Sequence, residues 1–215
     1  MNRIRRTILV IGAVVCILTI SGTVAAINDD TGDVWHYKET NGGWSWDKYS
    51  GEKPNIDITD VSQSTNGNET TLTMKVNGEI ENSENIEYWM YLKNDNSDYY
   101  AHYSNKNGTV GGNTPSGIFS YQLENPVSGN TFTATFELDN PDASYELWGY
   151  SAETVSDSNE WWGDYAPSEH APWYSGGGDS TDNGDTSDKG IPGFEILIVT
   201  IAMALVIFLR RKKKL

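Results

Sequence analysis

The chain has 215 residues, a formal net charge of −15 at neutral pH and a single cysteine, Cys16. An acidic surface repels phosphate backbones, which excludes nucleic acid as a partner, and one cysteine rules out a disulfide framework or a thiolate metal cluster. The charge is also lopsided: three basic residues lie at the N-terminus and five at the C-terminus, leaving seven against 29 acidic residues over 27–190, a net charge of −22.

Taken in order, the chain opens with Arg3, Arg5 and Arg6, then an uncharged, mostly apolar run from Thr7 to Ile20 that ends in small residues up to Ala26. That is the order of a secretory signal peptide and predicts an apolar leader helix over 1–26, with Val24 and Ala26 set like a V-x-A cleavage site. Cleavage there would remove Cys16 and leave the exported part without cysteine.

Residues 27–174 suffice for one domain with a sizeable core and are too few for two. Their apolar periodicity is two. Leu72, Met74 and Val76 alternate with Thr71, Thr73 and Lys75; Ile86, Tyr88, Met90 and Leu92 alternate with Glu87, Trp89 and Tyr91; Phe132, Ala134, Phe136 and Leu138 alternate with Thr133, Thr135 and Glu137. Further strands are predicted over Val34–Tyr37, Ile56–Ser62, Asp98–Ser104, Ile118–Leu123 and Tyr145–Ser151. Turn signals such as Thr65-Asn66-Gly67-Asn68, Asn94-Asp95-Asn96-Ser97 and Asn107-Gly108 separate them. Many short strands with one apolar and one polar face predict an all-β, two-sheet antiparallel β-sandwich.

Two kinds of residue in this domain carry candidate chemistry. Asp30, Asp33, Asp57 and Asp60 offer hard oxygen ligands for calcium, which takes six to eight of them; acidic loops that merely solvate the surface are the other reading. All eight tryptophans fall in the domain, and an exposed aromatic ring can stack on the apolar face of a sugar. Trp44 and Trp46 sit in a Gly-rich loop, while Trp161, Trp162, Trp173 and Tyr174 flank the loop 163–172; these six are the candidate polysaccharide contacts, with packing as the alternative. Trp89 and Trp148 alternate within strands and are expected to be packed between the sheets or under a loop. The sequons at Asn68 and Asn107 could carry glycans outside the cell. There is no H-E-x-x-H and no G-x-S-x-G, so nothing marks a zinc hydrolase or a serine nucleophile, and a glycoside hydrolase would need a carboxylate pair that the sequence does not single out.

The acidic turn Asp29-Asp30-Thr31-Gly32-Asp33, the segment Asn55-Ile56-Asp57-Ile58-Thr59-Asp60-Val61, the strand Thr71 to Val76 and the strand-turn-strand from Tyr88 to Tyr100 follow one another in an order that resembles the DOMON and family-nine carbohydrate-binding modules. The resemblance implies a ligand-binding sandwich, for sugar or in some members haem, with calcium as a structural ion. A haem would require axial ligands such as Met90 and His102.

From Ser175 to Gly190 only Ser, Gly, Asp, Thr, Asn and Lys occur, the composition of an acidic, flexible stalk. Beyond it, Ile191 to Leu209 would span about 28 Å as a helix, close to the hydrocarbon thickness of a membrane, and five basic residues follow. This predicts one C-terminal transmembrane helix over 191–215, with its basic end in the cytoplasm and the domain outside. Pro192, Gly193 and Phe194 ahead of the apolar run resemble the C-terminal sorting signals of archaeal surface proteins. That resemblance implies an archaeosortase as a partner; Glu195 replaces the commoner small residue, and a permanent anchor is the alternative. The reading that joins these segments is a non-enzymatic, membrane-anchored surface protein with a structural or adhesive role among envelope proteins. The alternative is a module that captures extracellular polysaccharide.

Overall fold

The computed structural model describes residues 23–40, 43–155 and 158–171, with the backbone alone for Thr23, Val24, Thr40 and Trp44. The leader helix, Trp173, Tyr174, the stalk, the apolar tail and Pro192, Gly193 and Phe194 lie outside the described residues. Among those described, no helix is long and apolar enough to cross a membrane. The chain divides after Ser168; the first unit holds all the described strands, and of the second only Glu169 to Ala171 are described, the first two of them in the 3-10 turn Ser168–His170.

The fold is all-β, with two antiparallel sheets. The strands are β1 (Thr23–Asn28), β2 (Trp35–Thr40), β3 (Gly43–Lys48), β4 (Ile58–Asn66), β5 (Glu69–Val76), β6 (Ile86–Lys93), β7 (Asp98–Ser104), β8 (Asn107–Thr114), β9 (Gly117–Gln122), β10 (Val127–Ser128), β11 (Thr131–Glu137), β12 (Glu146–Thr154) and β13 (Glu160–Ala166). A five-stranded sheet has the order β1-β4-β5-β11-β10 and an eight-stranded sheet the order β3-β2-β13-β12-β6-β7-β8-β9. Strand β1 pairs with β4 from Thr23↔Thr65 to Asn28↔Asp60, so it runs across the expected cleavage point after Ala26.

Both sheets turn their apolar residues to one shared core, a sandwich-like arrangement. The five-stranded sheet contributes Val61, Leu72, Met74, Val76, Phe132, Ala134 and Phe136, and the eight-stranded sheet Ile86, Tyr88, Met90, Leu92, Tyr99, Ala101, Tyr103 and Val110. The period-two patterns of β5, β6 and β11 are thus the inward faces, because consecutive side chains of a strand point to opposite sides. The sheets pack tightly at Gly149 on β12, where a Cβ would meet a methyl of Val61 at 2.6 Å and the terminal methyl of Met74 at 2.8 Å. Buried hydroxyls are tied across the interior: Tyr88 donates to the carbonyl of Asn55 at 2.8 Å, and the Tyr99 hydroxyl accepts from the Asp139 amide at 3.0 Å.

Candidate cation centre and aromatic face

The acidic turn between β1 and β2 folds back against β13. Asp29 and Asp33 from the turn and Asp164 from β13 each bring a carboxylate oxygen to within 4.8 Å of the others. Gly32, at φ +76°, takes the left-handed conformation this tight turn requires, and its amide donates to both oxygens of Asp57, at 2.9 and 3.0 Å. Asn77 donates to Asp57 as well, at 3.1 Å. Asp57 therefore pins the turn to the start of β4. On β13, Asp164 is 2 % exposed and accepts from the amides of Ile58 at 2.7 Å and Tyr165 at 2.9 Å.

This arrangement is electrostatically costly without a counter-charge. Burial, and then the Asp33 carboxylate beside it, push Asp29 up to about 7. Burial likewise raises Asp33, although its own backbone amide opposes the shift. Asp164 is held well above the usual carboxylate range by burial and then by Asp33 and Asp29. Such a cluster is either protonated or neutralised by a cation. One buried oxygen of Asp29 and one of Asp33 have no hydrogen-bond partner, and carboxylate oxygens placed like these could ligate a hard divalent cation. The residues fit calcium: Asp29, Asp33 and Asp164 would hold it directly, with Asp57 fixing the turn behind them.

Of the four aspartates expected at a calcium site, the structure brings Asp33 into the cluster and Asp57 beside it. Asp30 is exposed on the turn and outside the triad, and Asp60 sits on β4, where it accepts from the Ser62 hydroxyl at 3.1 Å. Sequence reasoning missed Asp29 and Asp164. The available signal for the second was a carboxylate inside the aromatic run Trp161-Trp162-Gly163-Asp164-Tyr165, since an unpaired acid is rarely buried among rings.

Aromatic residues dominate the outward face of the eight-stranded sheet. Register sets Tyr165, Tyr150, Trp89 and His102 in one cross-strand row and Trp148, Tyr91 and Tyr100 in the next. A third row, Trp161, Tyr37 and Trp46, crosses β13, β2 and β3. Trp89 and Trp148 therefore lie outside the inter-sheet core, which removes the first of the two expected placements and leaves the one beneath a loop: their phase on β6 and β12 is opposite to that of Met90 and Leu147. The rings stack on one another, Trp89 on His102 with centroids 3.9 Å apart, Tyr91 on Trp148 at 4.0 Å and Tyr37 on Trp161 at 3.6 Å.

The six expected sugar residues are distributed as follows. Trp46 is 45 % exposed on β3, Trp161 shares its row, and Trp44 lies on the backbone of β3 opposite Glu39, so the Gly-rich loop is a strand. Trp162 faces the other way, inward, stacked on His36 at 4.9 Å and capped by the Lys53 ammonium 4.1 Å from its ring centre. Trp173 and Tyr174 lie outside the described residues. For haem, Met90 faces the core with no exposure while His102 faces outward, so the two cannot ligate one iron. Asn68 is exposed on the β4–β5 turn and Asn107 is exposed at the start of β8.

Compared with known families, curated proteins and solved structures, the chain matches no family, no curated protein and no solved structure. The likeness to DOMON and family-nine carbohydrate-binding modules accordingly rests on the motifs quoted above.

Proposed function

We propose that the chain is an exported, membrane-anchored surface protein whose β-domain has a non-enzymatic, structural or adhesive role in the cell envelope, stiffened by a structural calcium ion. One observation carries this reading: the outward rows of the larger sheet are aromatic where a freely solvated sheet would carry charged and hydroxyl groups, with Tyr37 and Tyr165 buried, the other rings half-buried and Trp46 exposed at the end of its row. An apolar outward face fits contact with another envelope component. The basic leader, acidic stalk and apolar tail with its basic end support the address. The membrane, envelope proteins and, if the tail is processed, an archaeosortase are the partners in this reading; Asn68 and Asn107 are its glycosylation sites.

The test is protease treatment of intact cells making the full chain. The domain should be shaved from the surface, and a chain ending before Ile191 should appear in the medium. A domain that resists protease until the cells are broken would overturn the proposal.

Exposed Trp46 favours a second reading, polysaccharide capture. Stacking on a sugar needs a ring with a free face, and the interior rings of the outward rows spend theirs on neighbours. Trp46, at the end of its row, is placed to offer one. Under this reading Trp46→Ala abolishes retention on immobilised glycans and leaves the melting temperature unchanged; undiminished retention would remove the site.

A further inference from the structure

We propose that β9 is a self-association edge, through which a second copy of this chain extends the eight-stranded sheet by antiparallel pairing of β9 with β9. Among the described residues β9 pairs on one side only, with β8. The Leu123 amide bonds the Gly108 carbonyl at 2.9 Å, which fixes the alternation of the ladder: Gly117, Phe119 and Tyr121 turn their backbone groups towards β8. Ile118, Ser120 and Gln122 turn their N–H and C=O groups outward, a template for another strand.

Edges left open in this way are ordinarily blunted by charge, proline or a bulge. The opposite edge of the same sheet, β3, carries Asp47 and Lys48. Strand β9 reads Gly-Ile-Phe-Ser-Tyr-Gln, with none of these devices. It also carries two exposed large apolar residues, Ile118 at 84 % and Tyr121 at 45 %. A free-standing edge gains nothing from such an isoleucine.

Composition selects a second copy as the occupant. A register centred on Ser120 is self-complementary: it sets Ile118 beside Gln122 of the other copy and Phe119 beside its Tyr121, and it forms about six backbone hydrogen bonds. Phe119 and Tyr121 already stack, with centroids 6.0 Å apart, so the pairing would lengthen an existing aromatic ladder. Charge gives the same answer. Two domains this acidic repel wherever their loops meet, and an uncharged strand is where like-charged copies can approach; a basic partner would be drawn instead to the carboxylates. The inference goes beyond the surface reading and stands on the sheet alone, whatever compartment the domain occupies.

Cross-linking the full chain in the cells that make it tests the pairing. In a Cys16→Ser background, Ser120→Cys should be joined to itself by a short bis-maleimide several-fold more than Ser45→Cys, its counterpart on the β3 edge. The yield should rise with salt as repulsion between copies is screened. Adding Ile118→Lys should abolish the Ser120→Cys product while leaving the melting temperature unchanged, because Ile118 touches little within its own copy. Equal yields at both edges, no product at Ser120→Cys, or a product that survives Ile118→Lys would each overturn the proposal. Surface exposure is read separately by protease, so failure here leaves that result intact.

Discussion

On the outward face of the five-stranded sheet, Ser64, Thr71 and Thr135 form one cross-strand row and Ser62, Thr73 and Thr133 the next. At the same depth on the eight-stranded sheet the rows are Tyr165, Tyr150, Trp89 and His102, and Trp148, Tyr91 and Tyr100. Both sheets obey the same alternation and bury aliphatic and aromatic residues between them. The difference lies wholly in what each shows to the outside. Hydroxyls bonded to one another, as Thr71 is to Thr135 at 3.0 Å, are content with water. Stacked rings are less so, and those of the larger sheet lie half-buried or buried, apart from Trp46 at the end of its row.

The inward faces set the scale against which this contrast is measured. Phe132 and Met90 are fully buried, one from each sheet. Phe132→Ala should cost about 3–5 kcal/mol and Met90→Ala about 2–5 kcal/mol, read by urea denaturation. If either cost less than a change on an outward face, the shared core would not be what joins the sheets.

Second in size is the cation. Calcium at about 100 times its dissociation constant should stabilise by ~2.7 kcal/mol, raising the melting temperature by roughly 5–11 °C for a domain of this length. Asp164→Asn should remove that response. Without metal, the raised value of Asp29, about 7 against an ordinary 3.8, means that the folded state holds a proton the unfolded state has already released. The resulting stability is full below pH ~4 and is lost as pH rises towards ~7. Asp33 and Asp164 act in the same direction. Calcium binds the ionised form, so its added stability should grow across that same window. A metal-free melting temperature that climbs from pH 4 to 7 would contradict the geometry.

Next comes the outward face of the larger sheet. Trp89→Ala removes a stack on His102 and contacts with Tyr91 and Tyr100, and should cost about 1–2 kcal/mol. His102 rests against that ring and lies 3.7 Å from Glu87, so Trp89→Phe should restore most of the loss. A cost near zero would mean that the row is only a coating.

What the sequence revealed follows from which signals are local. Strands β5, β6 and β11 were legible because an apolar residue at every second position leaves little alternative. Strand β8, Asn-Gly-Thr-Val-Gly-Gly-Asn-Thr, gives no strand signal beyond the turn pair Asn107-Gly108 at its start: its glycines leave room for neighbouring rings, as Gly111 does for Tyr100, and that reason lies on another strand. Strands β3 and β13 were hidden by glycines and by tryptophans that suit a loop as well as a sheet. The cation centre was half legible. The acidic turn announced itself, but Asp164 enters from 131 residues beyond Asp33, and sequence spacing cannot foresee that β13 lies beside β2 and β12. Nor could alternation say which face of β6 and β12 was inward, since tryptophan suits either.

The smallest expected effect bears on the other outward face. Thr71 and Thr135 exchange one hydrogen bond in a partly solvated row, where water can replace either partner. Thr71→Ala should therefore change stability by no more than about 0.5 kcal/mol, and Thr71→Ala with Thr135→Ala should be additive within about that amount. The same pair of substitutions should leave surface retention and cross-linking at Ser120 untouched, because Thr71 does not reach the larger sheet's open edge and Thr135 meets it only through its backbone carbonyl, which accepts from the Tyr121 hydroxyl at 3.3 Å and is kept in the alanine variant. A loss of more than about 1 kcal/mol would show that the hydroxyl rows hold the five-stranded sheet together as the rings hold the eight-stranded one. The two outward faces would then differ in chemistry and not in role.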